Sequence, residues 1–180
     1  MKTNRALIVI DMQRGFLEDG YPLFCGNAAR GIIPSVKRLI EREQCEGTPV
    51  FFTADAHAPD DKEFEIYPPH CVRGSVEAEI IPELSGFLVQ ATLIETIRYS
   101  AFYATDLDER LRKRGAKRLI LCGVCTDICV MHTAADAHFR DYAIEVRRDC
   151  VASFDEAAHA FGLRHMETVL GARITQESVP

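Results

Sequence analysis

The stretch RLILCGVCTDICVMHTAADAHFR, residues 118–140, decides the reading of the fold. It opens with a short apolar run of buried-strand length, RLILCGV (118–124), and passes within two residues into TDICVMHTAADAHFR (126–140), whose apolar positions recur at helical spacing. A buried strand that turns straight into an amphipathic helix is half of a crossover unit, the element from which parallel sheets are built.

The same alternation extends in both directions. Apolar runs stand at ALIVID (6–11), PVFFTAD (49–55), FLVQATLIET (87–96), YAIEVRRDC (142–150) and, more weakly, ARITQES (172–178). Helical spacing with a polar opposite face recurs over IIPSVKRLIERE (32–43), ATDLDERLRKRG (104–115) and DEAAHAFGLRHMETVL (155–170), with Gly115 and Gly171 placed as helix stops. The expectation is an α/β protein: a three-layer sandwich in which a six-stranded, mostly parallel sheet carries helices on both faces. Outside the alternation lies one long segment, from His57 to about Leu84, and long irregular segments are often functional.

The chain has 180 residues and is 47% hydrophobic, which suits one domain spanning residues 1–180. The net charge is −6 and no Lys/Arg cluster forms a positive stripe, so nucleic acid is not an expected partner. The first apolar run is only six residues, too short for a signal peptide core or a membrane span, which points to a cytoplasmic protein with no membrane partner. Seven cysteines, an odd number without an export signal, read as free thiols.

Ligands of open α/β sheets bind beyond the carboxyl ends of the strands, so the residues that end each run come first. Asp11 ends the first run, Asp55 and then His57 the second, Thr96 and Arg98 the third, and Gly-Val-Cys-Thr-Asp the fourth. Thr126 or Asp127 is placed to cap the following helix, which would set Cys129 in its first turn, where free N–H groups and the helix dipole favour thiolate and could hold an oxyanion. Asp11, expected at a buried strand end, should have a raised pKa suited to proton transfer. Against this stand plainer alternatives: a packed core cysteine and a turn-capping aspartate. Cys122 and Cys125 form a C-x-x-C, but a single pair, half of it inside a strand, argues for neither a zinc nor a redox site.

The segment DAHAPDDKEFEIYPPH (55–70) carries a second constellation. Asp55 and His57 share one face of extended backbone, and Tyr67-Pro68-Pro69 presents His70 stiffly; a carboxylate with two imidazoles suits zinc, iron or manganese. The alternative is a solvated acidic loop with unrelated histidines. His132, His138, His159 and His165 fall on the expected helices as packing or surface residues.

Together ALIVIDMQRGF, D-A-H with PPHCVRGS, RYSAFYATDLDERLRKRG, GVCTDICVMHTAADA and CVASFDEAAHAFGLRHMETVLGARI resemble the isochorismatase-like cysteine hydrolases, nicotinamidases in particular. The resemblance implies Cys129 as nucleophile, Asp11 as general acid/base, and an oxyanion hole from the N–H groups of Cys125 and Cys129 with a cis peptide between Val124 and Cys125. It further implies a divalent metal, zinc foremost, on Asp55, His57 and His70, with Glu63 added in some members, there to hold a pyridine nitrogen. Phe16, Tyr67 and Tyr99 match positions that line the ring pocket. A small-molecule amide substrate and a homo-oligomer, dimer or tetramer, are implied as well.

One departure stands out. Where the family motif has a Lys three residues before the Tyr of RYSAF, this chain has Thr96. A cation there would lower the thiol pKa and steady the tetrahedral intermediate, and losing one such donor costs about 100- to 1000-fold in turnover. Arg98, two residues on, is the candidate substitute, able to supply charge but not to exchange protons. The expected activity is hydrolysis of nicotinamide or pyrazinamide. The alternatives are an N-carbamoyl or ureido-acid amidase, and a metal- and ligand-binding homologue impaired by the loss of the Lys.

Overall fold

The computed structural model of the protein describes residues 3–176. Among these residues six strands form one sheet: β1 (Arg5–Ile10), β2 (Val50–Asp55), β3 (Thr92–Thr96), β4 (Arg118–Val124), β5 (Ala143–Ala152) and β6 (Arg173–Thr175). Every pairing is parallel and the order is β3-β2-β1-β4-β5-β6. The chain starts at the centre, winds outward to β3, then crosses back to the other side of β1. That reversal puts a switch point between β1 and β4, and the crevice beyond their carboxyl ends is where such sheets bind ligands.

Among the described residues seven α-helices accompany the strands: α1 (Arg14–Leu17), α2 (Gly26–Gly31), α3 (Ile33–Cys45), α4 (Pro82–Ser85), α5 (Leu107–Lys113), α6 (Met131–His138) and α7 (Glu156–Thr168). The two faces of β1 belong to two separate cores. Leu7 and Val9 pack with Val36, Leu39 and Ile40 of α3, while Ala6, Ile8 and Ile10 pack with Leu107 and Leu111 of α5, Ala134 and Ala137 of α6, and Leu163 and Met166 of α7. This is why the run ALIVI lacks a polar alternation: both of its faces are covered. Each fully buried Leu or Ile contributes about 1.5–3 kcal/mol from apolar burial alone.

Three sequence expectations are corrected. The run 87–96 is not one strand; Gly86–Gln90 coils into a 3₁₀ turn, and only Thr92–Thr96 pairs in the sheet. Its apolar residues mislead because Phe87 and Leu88 pack on the core from the turn, while Val89 stays exposed. The helix expected over 126–140 begins as a π turn, Thr126–Val130, whose N-cap is Cys125 with no side-chain cap. Thr126 cannot serve as that cap because it bonds the His159 ring at 2.8 Å, and the Asp127 carboxylate accepts from Ser153. Short α1, α2 and α4 fall where no helix was expected, being too brief for a period to show. By contrast α7 begins as expected, its Asp155 side chain accepting from the Ala158 N–H at 2.8 Å. Gly115 and Gly171, at φ 74° and 65°, close α5 and α7 in the left-handed conformation. Of the last run, residues 177 and 178 lie outside the described residues.

Gly123 carries the closest approach in the sheet. Its φ is 114°, and a Cβ there would sit 2.0 Å from the Ile10 carbonyl oxygen, so only glycine lets the end of β4 close on the end of β1. Among the described residues no helix is long and apolar enough to cross a membrane.

Candidate active site

The two strand ends that flank the switch point deliver Asp11 and Cys129. Asp11 follows β1 at φ 50°, a left-handed conformation that a short polar side chain tolerates. Its backbone N–H donates to the Thr53 hydroxyl of β2 at 3.2 Å, and that hydroxyl donates in turn to Asp11 Oδ1 at 2.5 Å. The carboxyl group is buried and close enough to the Cys129 thiol for each to influence the other's proton affinity. Burial first, then the charge of Asp55, push its pKa up to about 8, against the Thr53 hydrogen bond and the influence of the Cys129 thiol.

Cys129 is the fourth residue of the π turn and is buried among apolar neighbours, yet its side chain lines the cavity described below. The thiol is pushed well above its ordinary range, by burial and then by Asp11 and Asp55. This corrects the expectation of a thiolate favoured by the helix terminus. A terminus offers about half a charge, and burial, with Asp11 and Asp55 close by, outweighs it. The resting form is therefore a neutral thiol. The Val124–Cys125 peptide is cis, as the resemblance implied. Cys125 lines the same cavity, and its sulfur lies 3.4 Å from that of Cys25. All seven cysteines are free, so the C-x-x-C forms no bond.

The second constellation also assembles. The irregular segment folds back on itself through a parallel bridge between His57 and Val72, with His57 N donating to Cys71 O at 3.1 Å and Arg73 N to His57 O at 2.9 Å. That backbone pairing carries His70 to the side of His57. One donor atom each from Asp55, His57 and His70 lies within 4.8 Å of the others, all three residues buried. Asp55 Oδ2 stands 3.6 Å from His57 Nε2 and 4.0 Å from His70 Nε2, and Glu63 Oε1 stands 3.9 Å from His70 Nε2.

These residues fit a divalent metal. His70 Nδ1 faces the Pro68 carbonyl at 2.9 Å, so it must carry the proton and leave the Nε2 lone pair directed at the centre. His57 Nδ1 faces the Asp61 carboxylate at 3.2 Å in the same way, and its buried Nε2 has no hydrogen-bond partner. An orphaned imidazole nitrogen beside two carboxylates calls for a cation. Glu63, lifted in pKa by burial and then by Asp55, faces the same point.

Asp61 is the residue that sequence reading missed. It accepts from Glu63 N at 2.9 Å, holds His57, and pairs with Arg98 at 3.0 Å. The Glu63 N–H, then His57 and Arg98, draw its pKa down to about 2 against burial. The available signal was an Asp two residues before Glu63, at the cap position of a turn. Its pairing also corrects the expectation for Arg98. That guanidinium neutralises Asp61, with Glu63 Oε2 at 3.9 Å, and is not a charge partner for the thiol. Thr96 likewise turns toward the metal side, its hydroxyl donating to Asp55 Oδ1 at 3.1 Å.

Between the two constellations lies a small cavity whose walls include Phe16, Tyr67, Tyr99, Leu23, Ile128 and Phe154, with Cys129 and Cys125 at one side and Asp55, Glu63 and His70 at another. Among the described residues no Lys or Arg lines it. The remaining histidines pack as expected: His132 Nδ1 contacts Ile128 O at 2.8 Å, His138 and His165 sit against Phe139 and Phe161, and His159 fixes Thr126.

A doubly wound parallel sheet with this furnished cavity at its switch point defines an α/β protein with a ligand site at the place usual for its class. The isochorismatase domain model matches residues 5–178, and the chain belongs to the isochorismatase family. Among solved structures it is similar to a pyrazinamidase/nicotinamidase from Streptococcus mutans UA159, at 37% identity and TM-score 0.91, covering 95% of this chain and 99% of that one. It is similar too to an N-carbamoylsarcosine amidase from Thermoplasma acidophilum, at 33% identity and TM-score 0.89, covering 98% and 99%. A pyrazinamidase of Pyrococcus horikoshii in complex with zinc matches at 32% identity and TM-score 0.87, covering 97% and 100%.

Proposed function

We propose that the protein hydrolyses a neutral aromatic carboxamide, nicotinamide or pyrazinamide, to the acid and ammonia through a thioester on Cys129. The observation that carries this reading is the neighbouring, buried Asp11 and Cys129 beside an aromatic-walled cavity whose other side holds Asp55 and His70 of the Asp55–His57–His70 cluster. Ring and carboxamide then have separate places to bind.

The Cys129 sulfur attacks the carboxamide carbon while Asp11 takes the thiol proton. Asp11 passes that proton to the leaving nitrogen, ammonia departs, and the thioester remains. Asp11, again a carboxylate, draws a proton from water as it attacks the thioester, and the acid leaves with the thiol restored. The N–H groups of Cys125 and Cys129, at the turn after β4, are the donors offered to the oxyanion. Asp55, His57 and His70, supported by Glu63, would hold a zinc ion, which when bound supplies a Lewis-acid site for a ring nitrogen. Phe16, Tyr67 and Tyr99 would flank the ring and keep water from it.

The lining supports a neutral substrate over the N-carbamoyl or ureido-acid alternative. Such acids carry a carboxylate into the cavity, where Asp55 and Glu63 already stand and, among the described residues, no Lys or Arg lines the wall. The impaired binding homologue also has one observation in its favour: Thr96 bonds Asp55 and leaves the thiol without a cationic neighbour. Ammonia release from nicotinamide by the purified protein, supplied with zinc, iron or manganese, decides between them. Turnover no greater than that of Cys129→Ala would reject catalysis.

A further inference from the structure

We infer that Thr96 is a positioning residue for the metal site: its hydroxyl fixes the Asp55 carboxylate so that one oxygen faces the two imidazoles. The inference rests on the metal reading above and goes beyond it by giving work to the residue that replaces the family Lys.

The argument begins with the backbone. Asp55 and Thr96 are the last residues of neighbouring strands and are register partners in the sheet. Ala56 N donates to Thr96 O at 2.9 Å, extending the pairing one step beyond the strand. On its other side Asp55 is clamped by the buried Gln13 amide, which donates to Asp55 O at 2.9 Å and accepts from Asp55 N at 2.8 Å. With the backbone held from both sides, the main freedom left to Asp55 is rotation of its carboxylate.

Thr96 stops that rotation. The buried hydroxyl donates to Oδ1 at 3.1 Å, leaving Oδ2 at 3.6 and 4.0 Å from the His57 and His70 Nε2 atoms. Both partners stand on sheet, not loop, so the orientation is built before any ion arrives. A hydroxyl of this reach serves the ligand on the adjacent strand, whereas a lysine would act by charge.

Outer hydrogen bonds of this kind are commonly worth 10- to 100-fold in metal affinity. The test uses the full-length protein and zinc alone, titrated against a chromophoric chelator, so that it stands apart from any amidase assay. Thr96→Val keeps the branched shape and removes the donor; Thr96→Ser keeps the donor and removes a methyl group. The expected result is zinc affinity about 10- to 100-fold weaker in Thr96→Val and close to wild type in Thr96→Ser, with matching circular dichroism in all three. If the amidase reading holds, saturating zinc restores kcat to Thr96→Val. Equal affinity in the folded Val variant and wild type overturns the inference, as does a wild-type protein that binds no zinc. A protein that binds zinc with the expected ranking yet releases no ammonia overturns only the substrate reading.

Discussion

The Thr53 hydroxyl and the Asp11 residue bond each other twice: the hydroxyl accepts from the Asp11 N–H at 3.2 Å and donates to Oδ1 at 2.5 Å. The donation favours the ionised carboxylate and is the largest influence holding the Asp11 pKa down against burial and Asp55. Thr53→Val therefore raises the Asp11 pKa above about 8 and moves the acid limb of kcat/KM to higher pH. It also leaves a buried N–H unpaired, at about 1–3 kcal/mol of stability. A pH–rate profile with an unmoved acid limb counts against Asp11 as the proton carrier.

Asp11 also leaves a mark on stability. Its folded pKa of about 8 lies above the ordinary 3.8, so between those values the folded state holds a proton that the unfolded chain has released. Its contribution is complete below about pH 3.8 and is lost as pH rises toward 8, at a slope fixed by linkage. In metal-free protein, Asp11→Asn removes the dependence, so the variant should gain on wild type across that window. Urea midpoints measured from pH 5 to 8 check this; parallel curves for the two proteins would show that Asp11 titrates normally.

Asp55 couples the two constellations, its charge raising the pKa of both Asp11 and Cys129. A cation on Asp55, His57 and His70 cancels that charge, so zinc should speed alkylation of Cys129 by iodoacetamide at mildly alkaline pH, and a chelator should reverse it. Asp55→Asn in metal-free protein should do the same while abolishing the zinc effect. Peptide mass mapping separates Cys129 from the other six thiols. Alkylation indifferent to both changes would mean that the metal site and the thiol do not sense each other.

Much of this was legible in the sequence because strand ends and donor types are local facts. Asp11, Asp55, His57 and His70 follow from where the apolar runs stop and from which side chains bind metals. What was not legible depends on contacts between distant segments. The thiol's protonation is set by desolvation and by carboxylates from two other strands, not by the turn it sits on. Arg98 reads as a free cation until Asp61, 37 residues earlier, is found against it. The 3₁₀ turn at Gly86–Gln90 hides because packing from a turn and pairing in a strand draw on the same apolar residues.

Replacing Thr96 by the family residue sets the two roles of the position against each other. Thr96→Lys removes the hydroxyl bond to Asp55, which should weaken zinc by about 10- to 100-fold. It also brings a cation into a buried cluster that holds Asp55, Asp11 and Glu63, whose charges offset the cost of burying it. The cation lowers the Cys129 pKa and steadies the oxyanion, the kind of contribution worth about 100- to 1000-fold in turnover. Nicotinamide hydrolysis should therefore rise in kcat once zinc saturates, while the zinc needed to reach half activity rises as well. Ammonia release measured across a zinc titration reads both effects in one experiment. A fall in kcat at saturating zinc would place the Thr96 hydroxyl in the chemistry itself.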